Sequence, residues 1–360
     1  MRLVIEPPEF AVALTRWTPA GQGRNSRSTV AEMSGSGSNE ERHGVRLTNL
    51  DQPLFDGADA TKRDLVDYLD AVSDRFVPVL ADRPLSVIRV HRGQEAFMQK
   101  NLPNHTPDWV ATVDWWAETS QRNVTYALCN DRRTLVWFAN QRAVEYHPTL
   151  VTAAEPERMT HLVIDLDPPA PDAFDMAVRA AHAVRAALDE VGLSGVLKTS
   201  GSKGLHVFVP VHQDVTTDDA AAATRAIAVR VAALDPDVAT TAFLKDDRDG
   251  KVFIDSTRSG AATVVATYSP RVRPGVPVSF PIPWDDLDHI SPTDFTIHTV
   301  PKLLGASDPW AELMPSAQVI PSELITEGHA IPAGRVQAMH EGKRRARAKA
   351  KETAEEQDQA

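Results

Sequence analysis

The chain of 360 residues has a single cysteine, Cys129. One thiol permits neither an internal disulfide nor a cysteine-rich zinc site, and such sparing use suits a reducing cytosol. No apolar run approaches the roughly 18 residues that a membrane-spanning helix needs. The opening MRLVIEPPEF lacks the unbroken apolar stretch and cleavage site of a secretory signal. Positive charge is in deficit: Lys+Arg 38 against Asp+Glu 49 gives a net −11. A uniformly basic coat for nucleic acid is excluded. A local basic groove is not, because binding depends on where charge sits. What is present is globular: with 42% apolar residues a sizeable core can be buried. The length fits two domains or one large one, at ~150 residues each.

Residues 1–19 are broken by Pro7, Pro8 and Pro19, and residues 20–44 are Gly/Ser-rich with few large apolar side chains. Such a stretch cannot offset its ordering entropy, so 1–44 reads as an extension and flexible linker. Order is expected from Val45. Leu65, Leu69, Val72 and Phe76 recur at helical spacing, with Thr61 as a cap. PLSVIRV, TPDWVATVDWW, VTYALCN and TLVWFAN read as strands, with Asp131-Arg132-Arg133 as a turn between the last two. HLVIDLDPP is a strand that Pro168 and Pro169 end. A long helix follows, with Pro171 or Asp172 near its start and Gly192 as its stop. SGVLKTSGSKGLHVFVPV is strand, glycine loop, strand. A second helix is capped by Thr216 or Thr217, and KVFIDS, ATVVATYS and VPVSFPI are further strands. Helices and strands mix without strict alternation, which predicts an α+β fold. The body is expected over 45–310, and 311–360 as a polar tail with the basic run KRRARAKAK at 343–351.

Side chains on a strand alternate faces, so Asp165 and Asp167 share one side with Val163. Two carboxylates so placed repel unless a cation or a shared proton lies between them. A strand end of this kind suits Mg²⁺ or Mn²⁺, which want oxygen ligands. The alternative is a solvated strand end. Asp255 closes another apolar run, as a turn residue or as a third ligand. Three converging carboxylates could hold two ions and serve phosphoryl transfer.

KTSGSKGLHVFV is the most specific local signal. Gly201 and Gly204 permit tight backbone and close approach to a ligand. Successive N–H groups there can form an anion nest, to which Ser200, Ser202 and Lys203 add donors. It is not a Walker loop, because a strand follows rather than a helix. His206 is a core histidine or faces the site. Arg271 and Arg273 share a face, which suits phosphate oxygens or a solvated edge. Arg89, Arg92, Phe97, Met98 and Lys100 place apolar side chains among cations. That arrangement can stack on unpaired bases or pin a loop to the core.

HLVIDLDPP, KTSGSKGLHVFVP, KVFIDSTRSGAATVVATYSPRVRPG and FTIHT, in this order, resemble the bacterial primase-polymerase family. This family lies within the archaeo-eukaryotic primase superfamily and includes the polymerase domain of ligase D. The likeness runs from about Val45 to Trp310 and is nearest the stand-alone mycobacterial-type branch. It implies an archaeo-eukaryotic primase-like core of mixed sheets flanked by helices, and a nucleotidyltransferase acting on gapped or primer-template DNA with NTP or dNTP. Asp165, Asp167 and Asp255 match its metal-binding carboxylates, for two Mn²⁺ or Mg²⁺ ions. Ser200, Ser202, Lys203 and His206 match its nucleotide loop and second motif. His147, Arg248 and Arg271 match further basic contacts near the triphosphate. Phe97 and Met98 stand where two phenylalanines stack on template, with Arg89 beside them.

One position departs. The family's pocket for a downstream 5′-phosphate uses one Asn and two Lys. Asn49 and Lys62 match, but Gln52 replaces the second lysine and forfeits the charge-assisted part of a hydrogen bond. Short-gap filling in excision repair is therefore expected ahead of end joining. A separate ATP-dependent ligase of the ligase C type is the expected partner, since about 50 residues past Trp310 are too few for a ligase domain. The resemblance implies a monomer, in the cytoplasm at the nucleoid. Two rivals remain. One is a haloacid-dehalogenase-type phosphatase, whose DxD would want Ser or Thr where Pro169 and Ala170 stand. The other is a catalytically silent DNA-end binder that recruits a ligase.

Overall fold

The computed structural model describes residues 40–91, 93–117, 122–259 and 262–333. A hairpin of β1 (Glu41–Arg42) and β2 (Val45–Arg46) leads into helix α1 (Lys62–Leu80). The first sheet follows: β3 (Leu85–Arg89), β4 (Phe97–Gln99), β5 (Thr112–Ala117) and β6 (Arg122–Ala127), then helix α2 (Arg132–Asn140) and β7 (Ala143–Pro148). The second sheet holds β8 (His161–Asp167), β9 (Val196–Thr199), β10 (Leu205–Pro210), β11 (Ala239–Thr240), β12 (Val252–Asp255) and β13 (Pro281–Ile282). Helices α3 (Phe174–Glu190) and α4 (Thr217–Leu234) interrupt these strands, and α5 (Val300–Leu304), α6 (Pro309–Leu313) and α7 (Ser322–Ala330) follow them. Both sheets contribute to one continuous buried core. Among the described residues, no helix is long and apolar enough to cross a membrane.

Local chemistry accounts for the helices. Thr61 and Asp64 form a reciprocal capping box on α1, which buries Leu65, Leu69, Val72 and Phe76. The Thr216 side chain caps α4, accepting from the Asp219 amide. Helix α3 starts at Phe174 with no side-chain cap, and Gly192 beyond its end has φ 71°.

Several expectations are corrected. TLVWFAN is not a strand but most of α2, and Asp131 is its N-cap, accepting from the Thr134 amide. Thr134 to Ala139 are all buried, so the helical period is hidden inside a short apolar run. ATVVATYS and VPVSFPI make only isolated bridges, such as Pro270 with Val278, before β13. Pro270, Pro277, Pro281 and Pro283 lack the N–H that a continuous ladder requires. Order starts before Val45, at the hairpin of β1 and β2. It also continues past residue 310: Ile320 and Leu324 are buried, and Gly328 packs so closely on α4 that an added Cβ would lie 1.9 Å from the Ala222 carbonyl oxygen. The proposed linker before residue 40 and the basic run at 343–351 lie outside the described residues.

Candidate active site

Strand β8 pairs antiparallel with β10 on one side and β12 on the other. Leu162, Ile164 and Leu166 are completely buried, as alternation requires, and the same alternation sets Asp165 and Asp167 on the opposite face. The register places Asp165 between His206 and Asp255. His206 Nε2 lies 3.4 Å from Asp165 Oδ1. The Arg258 Nε stands 3.2 Å from Asp165 and 3.4 Å from Asp255. Asp255 also accepts from the Thr257 amide and hydroxyl, at 2.8 and 2.6 Å.

Asp167 turns to other partners. Its carboxylate lies 3.0 Å from Lys203 Nζ and accepts from Arg248 Nη1 at 3.0 Å. Among the described residues, no three His, Cys, Asp or Glu side chains stand close enough to hold a metal jointly. Asp167 thus pairs with Lys203 and Arg248, while Asp165 and Asp255 share Arg258. The donor chemistry still fits a hard divalent cation: carboxylate oxygens on one face, with Asp165 and Asp255 directly opposed. Burial would raise the Asp165 pKa, but His206 and Arg258 outweigh it and hold the carboxyl well below its usual range. Asp255 moves the other way, raised by burial and then by the Asp165 charge.

The glycine loop joins β9 to β10. Gly204 is required by packing, since a Cβ there would fall 2.1 Å from the Leu166 carbonyl oxygen. Gly201 has φ 65° and lies against Ser279 and Arg271. The amides of Ser202 and Gly204 both donate to Ser200 Oγ, at 3.2 and 3.1 Å. Those two donors, expected to form an anion nest, are therefore engaged within the loop. Its cationic reach comes instead from side chains. Lys203 donates to the Pro168 carbonyl and Arg271 to the Ser200 carbonyl, and Arg273 approaches Ser202 Oγ at 3.5 Å.

Three residues that sequence reasoning missed organise the site. Glu145 is buried and lies 2.9 Å from His147 Nε2 and 3.0 Å from Arg271 Nε, while accepting from the Val272 amide at 2.8 Å. Burial opposes its charge, yet the His147 hydrogen bond and the Arg271 charge prevail and pull its pKa to about 2. Burial lowers the His147 pKa despite Glu145. Lys198 is fully buried beneath His206, which burial and Lys198 together push to about 4. Arg258 is the third. Glu145 was within reach, because it stands two residues before His147 on β7, the spacing that singled out Asp165 and Asp167.

The outer residues gather at the first sheet. The Gln52 amide donates to the Asn49 carbonyl and the Lys62 amide to the Gln52 carbonyl, so these three positions adjoin. Lys62 Nζ donates to the Thr48 carbonyl and to Asn140 Oδ1. Burial, then Arg142, lowers its pKa to about 8. Phe97 is 39% and Met98 46% exposed on β4. Phe97 stacks on His91 with ring centroids 5.3 Å apart. Arg89 donates to Gln99 and Gln141 and supports this strand from beneath. Arg92 lies outside the described residues. The corner of Asn140, Gln141 and Arg142 links these groups, because Arg142 also donates to the Pro53 carbonyl. A cleft of about 660 Å³, lined by Lys100, Trp115, Trp116 and Tyr126, reaches Arg258 beside the carboxylates.

The mixed-sheet scaffold is the archaeo-eukaryotic primase fold, and the class it belongs to is that of metal-dependent nucleotidyltransferases. The chain belongs to the family described as LigD, primase-polymerase domain, which matches residues 61–310. It is similar to the polymerase domain of Mycobacterium tuberculosis ligase D, solved in complex with DNA: TM-score 0.70 and 31% identity over 76% of this chain and 98% of that one. The bifunctional non-homologous end joining protein LigD of Bacillus subtilis is 33% identical over 71% of this chain and 42% of its own length. The multifunctional non-homologous end joining DNA repair protein LigD of M. tuberculosis is 36% identical over 68% of this chain and 33% of its own length. The chain thus spans less than half of each of these two relatives.

Proposed function

We propose that this protein fills short gaps in DNA during repair, adding nucleotides from NTP or dNTP to a primer 3′-hydroxyl. The hydroxyl oxygen forms a bond to the α-phosphorus, the bond to the bridging oxygen breaks, and pyrophosphate leaves. The observation that carries this reading is the direct opposition of Asp165 and Asp255 beside a cation-rich glycine loop. Asp165 and Asp255, with Asp167, are the residues that would hold Mn²⁺ or Mg²⁺, two ions in all. When bound, such ions neutralise phosphate charge and lower the pKa of the attacking hydroxyl. Lys203, Arg271 and His147 bind the triphosphate, and Arg248 adds charge beside Asp167. Phe97 and Met98 stack on template bases, with Arg89 holding their strand. Catalysis is mostly positioning and charge compensation.

Asn49, Gln52 and Lys62 receive a downstream 5′-phosphate with one positive charge fewer than the related pocket. This favours gap filling in excision repair beside a separate ATP-dependent ligase of the ligase C type. A second reading, synthesis during end joining, is favoured by the names of the relatives. The protein acts as a monomer at the nucleoid.

The test is extension of a primer across a gap of a few nucleotides, with Mn²⁺ and either nucleotide class, beside Asp165→Ala. Extension lost in the variant supports the polymerase. No extension by folded, metal-supplied wild type would leave a silent DNA binder. Comparing gaps with and without the 5′-phosphate, and aligned broken ends, separates the two repair readings.

A further inference from the structure

Helix α2 opens with two adjacent arginines whose surroundings differ. Arg132 is answered by the chain itself: it meets Asp70 at 3.6 Å and Asp74 at 3.2 Å, and donates to Ser73 Oγ. Arg133 has neither an ion pair nor a hydrogen-bond acceptor among the described residues, and its Nε is buried without a partner. What holds it is packing. The guanidinium carbon lies 3.9 Å from the centre of the Trp109 ring. Gly44, in the β1–β2 turn, comes up against the same group: a Cβ there would lie 3.4 Å from Nε, 3.5 Å from Nη2 and 3.6 Å from Cζ. These contacts fix the plane of the guanidinium and accept none of its protons.

The fold gives this cation no internal reason to stay unanswered. The chain has 49 acidic against 38 basic residues, so carboxylates are plentiful. The first turn of a helix is the positive end of its dipole, which disfavours a cation. A half-buried arginine kept there, rigid and with its N–H edge unspent, suits the paired oxygens of an anion from outside the chain.

Its position indicates which anion. Burial alternates along residues 44–48: Val45 and Leu47 are buried, while Gly44, Arg46 and Thr48 face outward. Gly44 stands at Arg133. At the other end, Thr48 gives its carbonyl to Lys62 Nζ and its amide to Asn140 Oδ1. Four residues of extended chain span ~13 Å, and a duplex strand advances about 3.4 Å per nucleotide. We propose that Arg133 binds a backbone phosphate of the downstream DNA strand, within the first few nucleotides past its 5′ end, with Trp109 and Gly44 holding the guanidinium in place. The proposal rests on the reading of Asn49, Gln52 and Lys62 as a 5′-phosphate pocket for its location alone.

The experiment uses full-length protein and two DNAs that share primer and template. One carries a 5′-phosphorylated downstream strand across a short gap, and the other has no downstream strand. By anisotropy, Arg133→Gln is expected to bind the gapped DNA about tenfold more weakly, the worth of one charge-assisted bond. The slope of log affinity against log salt should fall by about 0.9, one phosphate's share. Affinity for the DNA without a downstream strand should be unchanged. Arg133→Lys keeps the charge but not the fork, and is expected to keep the slope and recover part of the affinity. Independently of any variant, gapped DNA should protect Arg133 of wild type from phenylglyoxal, read by mass spectrometry, and the other DNA should not. Equal affinity of folded Arg133→Gln and wild type for gapped DNA overturns the proposal, as does an equal loss on both DNAs. Arg133 unprotected by gapped DNA, or protected only by inorganic phosphate, overturns it even if the variant fails to fold. Wild type that binds phosphorylated and unphosphorylated gaps alike, with the Arg133 effects intact, would sink the pocket reading and leave this contact standing.

Discussion

Asp165 and Asp255 stand opposite one another on β8 and β12, and their surroundings move the two carboxyls in opposite directions. Both are buried. Asp165 has His206 and Arg258 to favour its charge, whereas Asp255 is penalised by burial and by Asp165 itself. In the free protein the pair is therefore asymmetric: one member is held as a carboxylate and the other is charged at a cost.

That cost can be measured as stability. A carboxyl whose folded pKa is raised binds its proton more tightly in the folded state, so its charged form destabilises the fold above the raised pKa. Asp255→Asn is accordingly expected to increase the unfolding free energy of metal-free protein at neutral pH by about 0.5–2 kcal/mol, while abolishing extension. The gain should shrink as the pH falls toward the unfolded value. Calorimetry of wild type and variant between pH 4 and 7 checks it, and a variant less stable than wild type at pH 7 would refute it.

Glu145 predicts the reverse sign. Its folded pKa of about 2 lies below the usual carboxylate value of 4.5. The stability it contributes is complete above the unfolded pKa and lost as the pH falls through the folded one. Glu145→Gln is expected to cost about 3 kcal/mol at pH 7 and less near pH 2. Because His147 and Arg271 both lose their anchor, the KM for nucleotide should rise more than kcat falls. Denaturant titration and steady-state kinetics read the two effects.

The proposed phosphate pocket can be tested at one position. Gln52 is exposed and its backbone bridges Asn49 and Lys62. Gln52→Lys is expected to increase the preference for a 5′-phosphorylated gap by about tenfold, the worth of one charge-assisted bond. In wild type any such preference should weaken as the pH rises past about 8, where free Lys62 loses its proton. Extension on matched phosphorylated and unphosphorylated gaps, from pH 6.5 to 9, tests both.

Phe97 and Met98 project from β4 and contribute little to the core. Replacing both with Ala should leave the melting temperature nearly unchanged. Affinity for primer-template DNA should fall by about 1–3 kcal/mol for each unstacked base. Fluorescence anisotropy with labelled DNA measures this, and unaltered affinity would assign the pair to some other contact.

The carboxylate strand, the glycine loop and the two capped helix starts at Thr61 and Thr216 were legible because each depends on neighbours in sequence. Alternation along β8 is written in HLVIDLD, and Thr61 caps through Asp64, three residues on. The long-range contacts of Lys198 and Glu145 were not legible. Their partners Ser279 and Arg271 are more than eighty positions away, and only the folded chain shows that a lysine in an apolar run finds polar partners. Helix α2 failed as a strand because its residues are buried on every side, which erases the period. The turn to Arg258, which bridges Asp165 and Asp255, is likewise set by β12 docking on β8 rather than by any local signal.

The close seat of Gly328 on Ala222 bears on how this enzyme could be excised or fused. The family likeness stops at residue 310, but helix α4 is covered by α7 well beyond it. Under that cover Thr224 on α4 hydrogen-bonds Ser259, whose hydroxyl receives the Val163 amide of β8. A cut at the family border would strip the outer wrapping from a helix that braces β8, the strand that carries Asp165 and Asp167. A fusion partner joined after residue 333 would leave it dressed. The packed body thus extends past the segment that the family model matches.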